Sequence, residues 1–339
     1  MSVRDLPIDS QIRRVAGRLS VLELMADDEQ PSDDSVGGFT KRESIWDQRG
    51  GRPGGHQADE HFLDFYSDQG LHHAFKAYGV HDALLDKGLS QYHFEITRYD
   101  AFHHRLEILL DDDDVMDAGL DVRRVMDLRV HLTTLRPSSF ADVDPDRPRL
   151  PVMVVEWLAM QNPKEPFTER RPRLPGQRHP GTGLGRIVHS LLLIVAERLR
   201  RHAVIHIPEH FHLACLYHRA GYRFAHEGME SELVEVQRAV EHLPFAMAGW
   251  AVERGFVFHK NDDGTTTPYI YKPQEMVLPL SREMKGILAQ NHGFFRRLLP
   301  HVLPSRYEVD AAALRHSLMK DPVEGVSTRM IDKHLPIQR

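Results

Sequence analysis

Cysteine is almost absent from this chain of 339 residues, Cys215 being the single one. One thiol excludes an internal disulfide framework and fits a reducing compartment, so a cytoplasmic location is expected. No stretch of about 18 consecutive apolar residues occurs, which argues against a membrane-spanning helix. Residues 1–14 are charged and lack the apolar centre of a secretory leader. Basic charge is not in excess: the net charge is −6, so a nucleic-acid partner is not expected. No segment repeats at a fixed period. Against these absences stands an apolar content of 41%, enough for a real core, at a length suited to one large domain or two medium ones.

The most patterned stretch is Arg178-His179-Pro180-Gly181-Thr182-Gly183-Leu184-Gly185, followed at once by Arg186 and a helical pattern to residue 201. Leu184, Ile187, Val188, Leu191, Leu192, Val195 and Leu199 share one helical face. A glycine turn at a helix start aims unpaired N–H groups at one point, with the positive end of the helix dipole behind them. That suits an anion such as a pyrophosphate. The plain alternative is a tight turn whose glycines only permit close packing. A P-loop is excluded, because Thr182 stands where the phosphate-seeking lysine would follow Gly181. A dinucleotide fingerprint is excluded too, because its third glycine arrives one residue early.

Downstream come a short strand at 203–207, a helix containing Leu216-Tyr217-His218-Arg219-Ala220-Gly221, and a strand from Tyr222 to Ala225. Arg178-x-x-Gly181-x-Gly183 resembles the pyrophosphate loop of the GNAT superfamily of N-acetyltransferases. The second block resembles that superfamily's Leu-Tyr-x-x-x-Gly-Phe segment, with Tyr222 in the aromatic position. The resemblance spans roughly 89–228 and is specific only within 178–222.

The rest of the chain reads as follows. Residues 10–26 have helical spacing, 27–57 are polar with three Gly-Gly pairs and are expected to be a mobile loop, and 58–86 return to helical spacing. A hairpin is expected from 91–98 and 103–110, another strand at 127–135, and a central one at 152–160. Both faces of 152–160 are mainly apolar, so cover on each side is expected. Asp111, Asp112, Asp113 and Asp114 read as a solvated acidic turn rather than a metal site. Arg170, Arg171 and Arg173, among many prolines, read as a solvated basic loop, with contact to the adenosine phosphate of coenzyme A as the alternative. Beyond 228, a helix at 229–243, a hairpin around Asn261-Asp262-Asp263-Gly264 and helices at 282–299 and 310–319 are expected.

Glu156 is the most informative charge, because a carboxylate within an apolar strand must be paired, solvated in a cleft or raised in pKa. An ion pair with an arginine is one reading and a general base facing a cleft is the other. His206-Ile207-Pro208-Glu209-His210 spells a metal-binding pattern, but that pattern needs both histidines on one helix and Pro208 interrupts it. No metal is therefore expected. Cys215 reads as a small core residue, and the doublets His72-His73 and His103-His104 make no ligand set by themselves.

The resemblance implies an α/β (α+β) fold: a mixed, twisted central sheet with helices on both faces. An acyl-coenzyme A-binding core at 89–228 would lie between extensions at 1–88 and 229–339. It implies parallel strands at 152–160 and 203–207 that part to admit the pantetheine arm. Acetyl-coenzyme A or another acyl-coenzyme A is the implied co-substrate, and an amine on a small molecule or peptide the acceptor. Met160, Arg178, His179, Gly181, Thr182, Gly183, Leu184, Gly185 and Arg186 would bind the cofactor. Tyr217 takes the acid role by motif position, and Glu156 is the candidate base, about two residues from the commonest one. Phe211 stands where family members often carry asparagine. The extensions could close the acceptor site or supply a surface for a homodimer. The alternatives are a non-catalytic acyl-coenzyme A-binding protein and a metal-dependent hydrolase using residues 206–212.

Overall fold

The structure, a computed structural model, describes residues 61–112, 119–136, 146–225, 227–292 and 305–336. The expected helix at 10–26 and the expected mobile loop at 27–57 lie outside the described residues. The organising element is a seven-stranded mixed sheet of order β1-β2-β3-β4-β5-β9-β6. Its strands are β1 (Tyr92–Arg98), β2 (His103–Leu110), β3 (Arg124–Leu135), β4 (Leu150–Met160), β5 (Ala203–His206), β6 (Arg223–Phe224) and β9 (Met276–Pro279). The first four form an antiparallel meander, and β4 pairs β5 in parallel. A smaller antiparallel sheet joins β7 (Val257–Lys260) to β8 (Thr266–Pro268) and β10 (Tyr307–Val309).

The β1–β2 hairpin forms because Asp100 ties the turn. Its carboxylate accepts from the Phe102 and His103 backbone N–H groups, at 2.8 and 2.9 Å. Period-two alternation then divides the sheet into two faces. Met153, Val155, Val204, Met276 and Leu278 belong to the larger core on the first face. Val152, Val154, Ile205 and Val277 belong to a smaller core on the second.

Helices cover both faces unequally. The larger core takes in α1 (Asp68–Ala77), α2 (Val80–Leu85), α4 (Gly185–Arg198) and α5 (Phe211–Arg219). A single turn, α3 (Leu120–Arg123), leads into β3. The smaller core is closed by Met284, Ile287 and Leu288 of α8 (Arg282–His292). Buried residues such as Leu192, Leu193 and Ala196 give α4 a wider apolar contact than the single stripe read from its periodicity. The described part of the expected helical stretch at 58–86 holds two helices, 68–77 and 80–85, because Gly79 takes a left-handed conformation between them.

The C-terminal part is woven into the main sheet. Strand β9 pairs β5 on one side and β6 on the other, so the boundary expected at 228 does not divide the sheet. Between β6 and β9 the chain makes α6 (Glu227–Ala239), α7 (Phe245–Glu253) and the β7–β8 hairpin; α9 (Ala311–Lys320) and α10 (Thr328–His334) close the C-terminal end. Among the described residues, no helix is long and apolar enough to cross a membrane.

Candidate functional site

The site begins where the parallel pair ends. Residues Met153, Val154 and Val155 face Val204, Ile205 and His206, and there β5 stops while β4 continues to Met160. At the same place the β3–β4 register slips: Val130 faces Val155, but Arg129 faces Trp157. Glu156 is therefore the extra residue of a β-bulge, a device that bends a strand and re-aims its side chains. The expectation that 152–160 is covered on both sides holds for Val152–Val155 only. Residues 156–160 are partly exposed, and Trp157 is open to solvent; β3 still pairs with 157–160 on one side, but no described strand lies on the other side once β5 has ended.

The glycine loop runs along this opening. Pro180 accepts a hydrogen bond from Asn162 N–H at 2.7 Å, which ties the loop to the end of β4. A Cβ on Gly181 would lie 3.7 Å from the Met160 carbonyl oxygen, and one on Gly185 3.6 Å from Met160 Cε. Gly183 has φ of +76°, a conformation that favours glycine. Thr182 and Leu184 are buried beneath, and the Thr182 hydroxyl accepts from Leu184 N–H at 3.3 Å. Gly183, Gly185 and Arg186 are exposed, as is Arg178, and His179 is half-buried. No side chain caps α4, so the N–H groups of its first turn have no intrahelical acceptor. Lys87 adds a cation not suspected from sequence: its Nζ lies 3.8 Å from where a Cβ on Gly183 would stand. Asn162 holds that segment by donating to the Lys87 carbonyl at 3.3 Å.

On the first face, beside the end of β5, four rings assemble. His206 stacks on Tyr217 at 4.2 Å between centroids and meets Tyr222 edge-on at 5.1 Å. Tyr222 is fully buried, and its hydroxyl is hydrogen-bonded to His189 Nε2 of α4 at 3.0 Å. Burial, and after it the neighbouring His189, push the His206 pKa down to about 3; burial takes His189 down to about 4. Burial pushes the Tyr217 phenol up to about 12, although the side chain keeps some exposed surface. Both imidazoles are thus neutral and the phenol protonated at ordinary pH.

Glu156 occupies the other face. Its Oε1 lies 3.8 Å from His131 Nδ1, so a histidine is one of its neighbours. The adjoining Trp157 ring sits under the Arg129 guanidinium, 5.9 Å from the ring centre. Farther along, Asp127 and Glu107 are buried against Arg105, Arg124 and Arg129. Glu156 and Tyr217 are therefore not side by side but flank the opening from opposite faces of the sheet.

Among the described residues, 206–212 are not gathered into a set of three ligand-type side chains. The His206 ring is sealed against Tyr217 and Tyr222, whereas His210 Nδ1 is turned to Glu253 of α7, 3.1 Å away. A strand end and a helix start send these side chains to different neighbours. Cys215 is buried with its thiol pushed up to about 11 by burial, which leaves it a core residue. It lines a cavity of about 350 Å³ between α5, α6 and α7, with His212, Arg219, Gln237 and Phe245 also in its wall. That cavity lies away from the glycine loop. The basic loop is partly anchored: Arg173 N–H donates to the Glu324 carbonyl at 2.9 Å, and Trp250 Nε1 donates to the Arg173 carbonyl at 2.8 Å.

No family model matches the chain, and no curated protein matches it.

Proposed function

We propose that the chain is an acyl-coenzyme A-dependent N-acyltransferase of GNAT type, with acetyl-coenzyme A as the simplest donor and a small-molecule or peptide amine as acceptor. The observation that carries this reading is the parting of β4 from β5 beyond Val155 and His206, beside a glycine loop that exposes backbone at the start of α4. The pairing order supports it, since β4 and β5 are the one parallel pair of neighbours among the described strands.

Acyl-coenzyme A, when bound, supplies an activated thioester carbonyl. In this reading the first-turn N–H groups of α4, with Gly181 and Gly183, hold the pyrophosphate, and Lys87 adds its charge. Backbone N–H groups of 156–160 that face the opening donate to the carbonyl oxygen as it gains charge. Glu156 removes the proton from the attacking ammonium on one face. Tyr217, protonated because it is buried, delivers a proton toward the thiolate on the other. Donor and acceptor then approach the opening from opposite faces, which fits the separation of the two residues.

Calorimetric titration of coenzyme A against the wild type and Gly181→Val tests this. Gly181 lacks a left-handed backbone, and a Cβ there meets ordinary contacts, so the variant folds. The added methyl groups crowd the space needed by phosphate. Coenzyme A should bind the wild type, and the variant at least about tenfold more weakly, with a melting temperature within a few degrees of wild type. No binding to the wild type, or equal binding to both, overturns the reading.

A further inference from the structure

The second face of the sheet gathers ligand-type side chains that lie far apart in the chain. His103 of β2 and His131 of β3 are direct cross-strand partners, and their rings stack at 3.9 Å between centroids and 17° between planes. The bulge in β4 turns the Glu156 carboxylate toward them. One donor atom from each of the three residues lies within 4.8 Å of the other two. We propose that His103, His131 and Glu156 form a binding site for a divalent first-row transition metal of the zinc class.

The chemistry of the donors argues for this class. Two imidazole nitrogens and one carboxylate oxygen suit zinc, cobalt or iron, whereas magnesium and calcium take sets made of oxygen alone. Three protein donors leave a coordination position for water or another ligand. Neighbouring donor atoms around four-coordinate zinc stand roughly 3.4 Å apart, given bonds of about 2.0–2.1 Å. Coordination would draw the donor atoms together from their present separations of up to 4.8 Å. The side chains are 14%, 23% and 19% exposed, so they are held by the sheet yet reachable from solvent.

The surroundings orient one ligand in the manner of metal sites. Both Asp100 carboxylate oxygens lie 2.9 Å from His103 Nδ1. A carboxylate only accepts, so Nδ1–H donates to it, and the lone pair of that ring sits on Nε2. Asp100 is itself fixed by the Phe102 and His103 backbone N–H groups. The three ligands and their orienting carboxylate come from three adjacent strands and one tight turn, which is rigid support for a small ion.

This inference does not rest on acyl transfer: a metal-bound Glu156 carboxylate would no longer act as the base proposed above, and the test reads metal rather than turnover. Chelator-stripped protein is titrated with zinc by calorimetry, and separately with cobalt, whose absorption spectrum reports its donor set. The expected result is one equivalent bound, with His103→Ala, His131→Ala and Glu156→Gln each weakening zinc at least about tenfold and Asp100→Asn about 10–100-fold. His316→Ala, at an exposed position on α9, should bind as the wild type does. Uptake unaffected by His103→Ala and His131→Ala, or equal affinity for magnesium, overturns the assignment. A cobalt-soaked crystal of the wild type gives a reading that needs no variant to fold. Anomalous scattering between the three side chains supports the site; scattering only elsewhere, or none, refutes it.

Discussion

Lowering the pH from 7 to 5 should remove several kcal/mol of stability through three histidines, His206 and His212 buried and His189 partly so. Burial and then His189 push His206 down to about 3, burial and then His210 push His212 to about 3, and burial pushes His189 to about 4. In the unfolded chain an imidazole titrates near 6.5. Between the folded and unfolded values the unfolded chain binds a proton that the folded protein does not, so stability falls as the pH falls. For one such group, the change from pH 7 to pH 5 amounts to about 2 kcal/mol, and for all three to about 5–6 kcal/mol. That is a large share of the roughly 5–15 kcal/mol that holds a typical domain together. His206→Phe isolates one contribution: it keeps an aromatic ring against Tyr217 and Tyr222, and the Nε2 it removes is buried without a hydrogen-bond partner. Urea unfolding at pH 7, 6 and 5 measures the effect, provided the denaturant slope stays constant. The variant should lose about 2 kcal/mol less than the wild type between pH 7 and 5. Parallel losses in the two proteins would refute the argument, as would a His206 resonance titrating near 6.5.

Other outcomes follow from the same geometry. Tyr217→Phe should lower turnover with a cognate amine by about 10²–10⁴ while coenzyme A affinity holds; turnover within a few-fold of wild type would remove the phenol from the chemistry and favour the non-catalytic binding reading. Lys87→Ala should weaken coenzyme A several-fold and flatten the salt dependence of its binding, and an unchanged salt dependence would deny the lysine its role. Asp127→Ala should destabilise the protein by about 3–5 kcal/mol, because Arg105 and Arg129 would be left without the buried carboxylate between them; a loss under about 1 kcal/mol in denaturant titration would show that the pair is solvated instead.

The difference between the readings of Gly181 and Gly183 shows how far sequence could go. Both glycines belong to one recognisable loop, but only backbone angles show that Gly183 needs its conformation for folding, so a substitution there would confuse strain with binding. Gly181 lacks that complication. Likewise Glu156 stood out as a charge in an apolar strand, whereas the bulge that aims it depends on pairing with β3. Strand β9 offered only a short apolar run before Pro279, and it became the link between β5 and β6 through its partners.

The amino-acid sequence by itself determined the local elements: the β1–β2 hairpin, the long β4, the helix after the glycine loop and the helix bearing Tyr217. Their patterns arise between residues a few positions apart, where spacing and turn chemistry act directly. Tertiary structure alone decided which side chains meet. His131 reaches Glu156 across a slipped register, His103 stacks on His131 across a strand pair, and Lys87 comes to Gly183 from a distant turn. It also decided that His206 is neutral, since burial depends on everything packed around a group and not on its neighbours in the chain.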